Sequence, residues 1–276
     1  MLLNSALFSK VMKKGYAGVV GITGIFDVST NKIREIFLST LNGSGIKNQD
    51  LGEIIHNDRG IPTKRPASIL CYNNGKSEIS KEVECRDYKN TYNNTINKLK
   101  KLYSETDLLV IIGISHRFGY AMYGLPGKIA RFDAHGDVED RRGIANFISE
   151  FEPQFINFTN YVYRAKECGL KRKDEICNHG ITYRRHQEVI GNIHKNPCGN
   201  AEILDIGPDF LSPAYEIECL YPEGFLEEKH LYQQVALSKP RVIGIFEYSP
   251  KIDANKNGKR ILTKTIVDAA RLRIKS

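Results

Sequence analysis

Short apolar runs recur along the whole chain with helical segments between them, and this alternation restricts the fold more than any other feature. The runs are "YAGVVGIT" (16–23), "SILCY" (68–72), "LLVIIGIS" (108–115), "KIARFD" (128–133), "EICNHGI" (175–181), "EILDI" (202–206) and "RVIGIFE" (241–247). Several are apolar at consecutive positions rather than at alternate ones. A strand of that kind must be covered on both faces, which is the situation of a parallel strand between two helical layers. Between the runs, "NKIREIFLSTL", "NTYNNTINKLKKLYSE", "TNYVYRAKECG" and "EEKHLYQQVALSK" read as helices, as does "LTKTIVDAARLRI" with Thr263 as its expected cap. Strand and helix in alternation predict one mostly parallel sheet with right-handed crossovers. The Asn-, Lys- and Glu-rich stretch from about 56 to 90 reads as a surface excursion.

With 276 residues, 41% of them hydrophobic, the chain has material for one large core, and a single domain over 1–276 is expected. The six cysteines form no C-x-x-C pair, so the expectation is free thiols in a reducing compartment, not a zinc ribbon or a redox motif. The N-terminal stretch puts Lys10, Lys13 and Lys14 after its apolar segment, the reverse of a secretory leader, and no run reaches the length of a bilayer span. A cytoplasmic protein with no membrane partner is expected. The net charge of +8 comes from scattered short groups without interleaved aromatics, which reads as solvated faces and not as a nucleic-acid surface.

In open parallel sheets ligands bind beyond the carboxyl ends of the strands, so the residues that follow each apolar run matter most. His116 follows one run; Asp133, His135 and Asp137 follow the next; Asp205 lies in and Asp209 after a third; Glu247 ends the last. In the D-x-H-x-D spacing, alternate side chains share a face, but a fully extended chain would hold the two Asp more than about 10 Å apart, so the backbone must curl. Gly136 sits where the curl is needed. Carboxylates with one or two imidazoles suit Mn²⁺, Fe²⁺ or Zn²⁺ better than Mg²⁺ or Ca²⁺. An Asp after a strand also commonly caps a helix, and an isolated His is commonly a surface residue, so both readings of the triplet stay open.

"DAHGD" (133–137), "GISHR" (113–117), "DIGPDFLSPA" (205–214) and "EYSP" (247–250) occur in the order of the hallmark motifs of the ureohydrolases, the family of arginase, agmatinase and formimidoylglutamase, and the chain resembles that family. "NKIREIF" (31–37), "DLGEI" (50–54), "NYVYRAKECGL" (160–170) and "HGI" (179–181) are softer matches. The resemblance implies a three-layer α/β/α arginase-like sandwich, two Mn²⁺ ions (one ion, or Zn²⁺ or Fe²⁺, as alternatives) that activate a bridging water, and hydrolysis of a linear C–N bond in a guanidino or amidino compound, agmatine among them, with release of urea. His116, Asp133 and Asp137 would hold one ion and His135 and Asp209 the other, with Asp133 shared and Asp205 as a further ligand. Asp137 and Glu247 would be catalytic, and Glu247, Asn157 and Asn160 would hold the substrate. A homo-trimer or hexamer is implied by the resemblance alone.

The chain also departs from the motifs. Asp205 and Asp209 are four apart where the family has D-x-D; counted back from "FLSPA", Gly207 takes the first position, and Asp205 recovers it only if Gly207 and Pro208 form a bulge. Phe158 stands at the position read as the family's proton-relay His, Ser115 replaces an Asp beside His116, and Arg117 adds a positive charge. These departures motivate the alternative of a catalytically impaired relative that serves as a structural subunit or small-molecule binder, and a weaker one of a single-ion enzyme with different chemistry.

Overall fold

The computed structural model describes residues 15–24, 29–56, 88–114, 116–133, 158–161, 181–184, 201–217, 226–251 and 253–274. Eight strands form one sheet: β1 (Ala17–Gly24), β2 (Asn48–His56), β3 (Leu108–Gly113), β4 (Ile129–Phe132), β5 (Phe158–Tyr161), β6 (Ile181–Arg184), β7 (Ile203–Ile206) and β8 (Val242–Phe246). Their order is β2-β1-β3-β8-β7-β4-β5-β6, and every neighbouring pair is parallel. Helices α1 (Asn31–Gly43), α2 (Tyr88–Glu105), α4 (Glu228–Ser238) and α5 (Asn257–Arg273), with the single turn α3 (His116–Gly119), accompany the sheet.

Alternation along the central strands divides their side chains between two cores, one on each face. Leu108, Val110 and Ile112 of β3, Leu204 and Ile206 of β7 and Ile243 and Ile245 of β8 pack with α1, α4 and α5; Leu109, Ile111, Ile129, Ile203 and Val242 pack on the other side with α2 and the 120–125 segment. This is the three-layer α/β/α sandwich. The near-continuous apolar runs follow from it, because neither face of a central strand meets water.

Four elements differ from the sequence expectations. "NQDLGEIIH" is β2, an edge strand whose exposed Ile55 and interspersed polar residues hide the apolar run. "FTNY", expected to begin a helix, is β5, held by pairing on both sides to β4 and β6. The strand near 181 begins at Ile181, and 175–180 lie outside the described residues, as does the run at 68–72. α5 starts at Asn257, not near Thr263, whose hydroxyl instead donates to the Lys259 carbonyl inside the helix. Asp253 serves as the cap: its buried carboxylate accepts the backbone N–H groups of Gly258 and Lys259, supplying the negative charge a helix start favours. Among the described residues no helix is long and apolar enough to cross a membrane.

Candidate metal centre and active site

The chain builds β1 to β3, leaps past two strand positions to β4, completes β5 and β6, and only then inserts β7 and β8 into the gap. The gap is where the strand order reverses, and ligand sites of open sheets lie at such points. His116 follows β3, Glu247 ends β8, Asp205 and Asp209 belong to β7 and its exit, and Asp133 follows β4. These are the four adjacent central strands, and all but Glu247 of these side chains are buried.

His116 lies between two carboxylates. Its Nδ1 is 3.3 Å from Asp133 Oδ2 and its Nε2 is 3.2 Å from Asp205 Oδ1, while Glu247 Oε2 approaches Nδ1 to 3.7 Å. Burial pulls the imidazole pKa down, but the charges of Asp205 and Asp133 outweigh it and hold the group well above its ordinary 6.5. The ring is set by Phe246, whose centroid is 5.2 Å away. Phe246 fits because Gly113, Gly119 and Gly244 surround it: a Cβ on any of them would come within 2.5–2.6 Å of its ring. The Gly residues of "IIGIS" and "VIGIF" thus make the slot for the aromatic residue that positions the imidazole.

Arg131 is the feature sequence reasoning missed. It is fully buried, with Nη2 2.5 Å from Asp133 Oδ2 and Nε 3.3 Å from Asp205 Oδ2. In register, Arg131, Asp205 and Gly244 are direct neighbours on β4, β7 and β8, and by alternation they share the sheet face that carries Ile129, Ile203 and Val242. Asp205 also accepts the hydroxyl of buried Tyr123, whose pKa is raised well above 10 by burial and by the Asp205 charge. A signal was present: "KIARFD" and "EILDI" each carry one charge of opposite sign inside an apolar run, and buried charges must find partners.

The exit of β7 takes a different course from the expected bulge. Gly207 N–H still donates to the Phe132 carbonyl at 2.8 Å, extending the ladder by one step, and Pro208–Phe210 then form a 3-10 turn. Proline fits the first turn position because its missing N–H is not needed there. The turn carries Asp209 back toward the strand end. A Cβ on Gly207 would lie 2.7 Å from His116 Cε1, 2.9 Å from Asp209 Oδ1 and 3.2 Å from Asp133 Oδ2, so glycine leaves a space bounded by three ligand-type side chains. Glu247 has a left-handed backbone, φ 62°, its N–H donating to Gly113 O, a strained state for a non-glycine residue. With its side chain 44% exposed, it sits over the buried His116 at the solvent boundary.

Whether these donors suit a metal ion can be judged from the chain itself. Asp133 and Asp205 flank one guanidinium, Glu247 approaches His116, and Asp209 lies beside Gly207, while buried His116 Nε2 and Asp205 Oδ1, though close, complete no hydrogen bond among the described residues. Oxygen and imidazole donors in negative excess, with a space at Gly207, fit a divalent cation in kind. Among the described residues, no three such side chains are already drawn around one ion-sized point; Arg131 holds Asp133 and Asp205, and His135 and Asp137 lie outside the described residues, as do Ser115 and Asn157. Phe158 opens β5 opposite Ile129, at the amino edge of the sheet, so the register that set it in the proton-relay position does not hold. Asn160 lies inside β5, next to Arg131 in register, not in a loop over the site.

No family model matches the chain, and no curated protein sequence matches it. Solved structures do. Arginase from Bacillus cereus aligns with a TM-score of 0.64 at 14% identity, covering 95% of this chain and 99% of that one. A formiminoglutamase variant from Trypanosoma cruzi, described with Mn²⁺, aligns with a TM-score of 0.63 at 12% identity over 95% and 94%. Proclavaminate amidino hydrolase from Streptomyces clavuligerus gives 0.60 at 15% over 94% and 93%. The fold is the arginase-like α/β sandwich.

Proposed function

We propose that this chain is a divergent ureohydrolase, a metal-dependent hydrolase of a linear C–N bond in a guanidino or amidino compound, with agmatine and its release of urea the first reaction to try. The observation that supports the reading best is the convergence, at the switch point of an arginase-like sheet, of His116, Asp133 and Asp209 about the space at Gly207 with Glu247 above them. His116, Asp133 and Asp209, joined by His135 and Asp137 of the same motif, would hold the cation, Mn²⁺ by resemblance and Zn²⁺ or Fe²⁺ as alternatives. Such a cation, when bound, eases the loss of a proton from water at neutral pH and polarises the carbon under attack.

The residues of the chain account for the rest. Glu247 is the one carboxylate of the cluster that reaches solvent, so it can accept paired N–H donors from a planar cationic substrate. Its left-handed backbone, fixed by the bond to Gly113 O, holds the carboxylate over His116 without a search through rotamers of a mobile loop. Phe246 and its glycine slot keep the imidazole plane fixed, and Asp137 is the group we assign to proton transfer from the motif.

The test is turnover. Mn²⁺-loaded protein should release urea, ammonia or formamide from at least one member of a panel of agmatine, arginine and formimidoyl compounds; a loaded protein inert toward the whole panel would refute the proposal. One observation favours a second reading: Arg131 already engages Asp133 and Asp205, as it would in an impaired relative that binds cationic small molecules without hydrolysing them. Calorimetry showing agmatine binding in the absence of any turnover would select that reading.

A further inference from the structure

We propose that the amino edge of the sheet, the end of the molecule opposite His116 and Glu247, is a docking face for an anionic lipid bilayer. The basic groups of this face are scattered along the sequence, and the fold gathers them. Lys47 immediately precedes β2, Arg241 precedes β8 and Lys128 precedes β4. Backbone bonds set them in one row: Ala17 N–H donates to Lys47 O, Leu109 N–H to Arg241 O, Arg241 N–H to Glu202 O and Glu202 N–H to Lys128 O. At about 4.8 Å per strand, the strands from β2 to β4 extend that row across roughly 24 Å.

The helices of both layers end at the same edge. Lys239 caps α4 just before Arg241, Arg273 at the end of α5 donates through Nε to Pro240 O at 3.2 Å, and Arg241 Nη2 donates to Tyr103 O near the end of α2 at 2.7 Å. Lys239 and Arg271 thus belong to one helical layer, Lys101 to the other, and Lys47 and Lys128 to the sheet between them. All five are exposed, and none has an ion pair among the described residues. Arg241 and Arg273 are half-buried and direct hydrogen bonds to backbone carbonyls, so they add charge to the same face. Three carboxylates share it, Glu105, Glu202 and the buried Asp107, whereas the carboxyl edge sets its cations among Glu53, Glu216, Glu227, Glu228, Glu247 and Asp253.

Local structure does not account for this excess. The field at a helix C-terminus favours Arg271 and Arg273, but Lys47 and Lys128 begin strands. Lys239 holds a left-handed backbone, φ 47°, at a helix end where glycine would be unstrained. The spread of the charge identifies the occupant. Phosphates of a nucleic-acid strand follow a line, while these cations extend over both helical layers and the sheet, as a plane of lipid headgroups would meet them. Leu272, 43% exposed between Arg271 and Arg273, adds an apolar side chain that a headgroup layer can admit. Docking by this face leaves Glu247 and the carboxyl edge turned away from the bilayer, open to small molecules.

Co-flotation with vesicles tests the proposal. Purified full-length protein in about 0.1 M salt should float with phosphatidylcholine vesicles containing about 30% phosphatidylserine, should not float with pure phosphatidylcholine, and should dissociate as salt is raised. Each basic group near an anionic surface is worth roughly fivefold in partitioning, so Lys128→Glu, Lys239→Glu and Arg271→Glu combined should lose at least about a hundredfold. Lys32→Glu, Lys256→Glu and Lys259→Glu combined change the net charge equally through exposed residues of the opposite edge, and should stay within about fivefold of wild type. Lys239→Gly, which suits the left-handed backbone, should fold at least as well as wild type and lose about fivefold. No wild-type binding, equal binding to the two kinds of vesicle, or equal losses in the two triple variants would overturn the proposal. So would a wild-type protein that binds duplex RNA or DNA at this salt and leaves the vesicles. If the amino-edge triple variant does not fold, Lys239→Gly and the lipid dependence of the wild type decide. Neither metal nor turnover enters the assay, so this proposal and the hydrolase reading stand or fall separately.

Discussion

Replacing Asp205 by Asn should destabilise the fold without emptying the metal site. Asp205 is fully buried, its Oδ2 pairs with Arg131 Nε at 3.3 Å and accepts the Tyr123 hydroxyl, and its Oδ1 faces His116 Nε2 at 3.2 Å. Asparagine keeps the shape but removes the charge that balances a wholly buried guanidinium. Removing one partner of a buried pair costs about 3–5 kcal/mol, and the low end applies here because Arg131 keeps Asp133. With an unfolding entropy of about 2.1 cal/mol/K per residue over the chain, 3 kcal/mol corresponds to a fall in Tm of roughly 5 °C, and 5 kcal/mol to roughly 9 °C. Thermal melts followed by circular dichroism in the presence of a chelator would measure it, and metal content at saturating Mn²⁺ would show whether the ion is retained. A Tm change under about 2 °C would refute the claim that Asp205 stabilises by balancing Arg131. Loss of the ion at unchanged Tm would instead make Asp205 the ligand and Asp209 the bystander.

Asp209→Asn should do the reverse, weakening Mn²⁺ binding at least about tenfold in a titration with little change in Tm, since its carboxylate borders the Gly207 space. Glu247→Gly should relieve the left-handed backbone and raise stability by up to about 1 kcal/mol in chemical denaturation while abolishing substrate turnover. Phe246→Ala should cost about 3–5 kcal/mol, read in the same denaturation assay, because the ring is fully buried in a slot made by three glycines. Glu53 of β2 accepts the Thr30 backbone N–H at 2.6 Å and the Thr30 and Ser29 hydroxyls at the start of α1, with Arg34 3.2 Å away. Burial pushes its pKa up, but these donors and the guanidinium bring it below 4.5, so its contribution is present above pH 4.5 and fades as pH falls through the lowered value; Glu53→Gln should flatten that part of the pH–stability curve.

The layers and most of the elements were legible because double-sided apolar runs leave a parallel strand few alternatives, as in β3, β7 and β8. β2 was not, since at the sheet edge its Ile55 faces solvent and its polar residues break the run. β5 was misread because "FTNY" is too short for periodicity to separate strand from helix, and only its pairing with β4 and β6 decides. At the site, the residue types at strand ends could be read singly, and His116, Asp133, Asp205, Asp209 and Glu247 are brought together. What one strand at a time could not convey was the cross-strand row: Arg131 reads as an odd charge in an apolar strand until register sets it opposite Asp205. The same holds for the turn at Pro208, where spacing alone suggested a bulge but the Gly207 N–H bond to Phe132 O continues the ladder one step before the 3-10 turn begins.

The most direct test of the whole account is an anomalous-difference map from crystals of the full chain soaked in Mn²⁺. The account predicts a peak at the carboxyl edge of the sheet, within coordination distance of His116 Nδ1, Asp133 and Asp209, beside Gly207 and below Glu247. A map without density there, or with ions bound only to surface carboxylates, would contradict it.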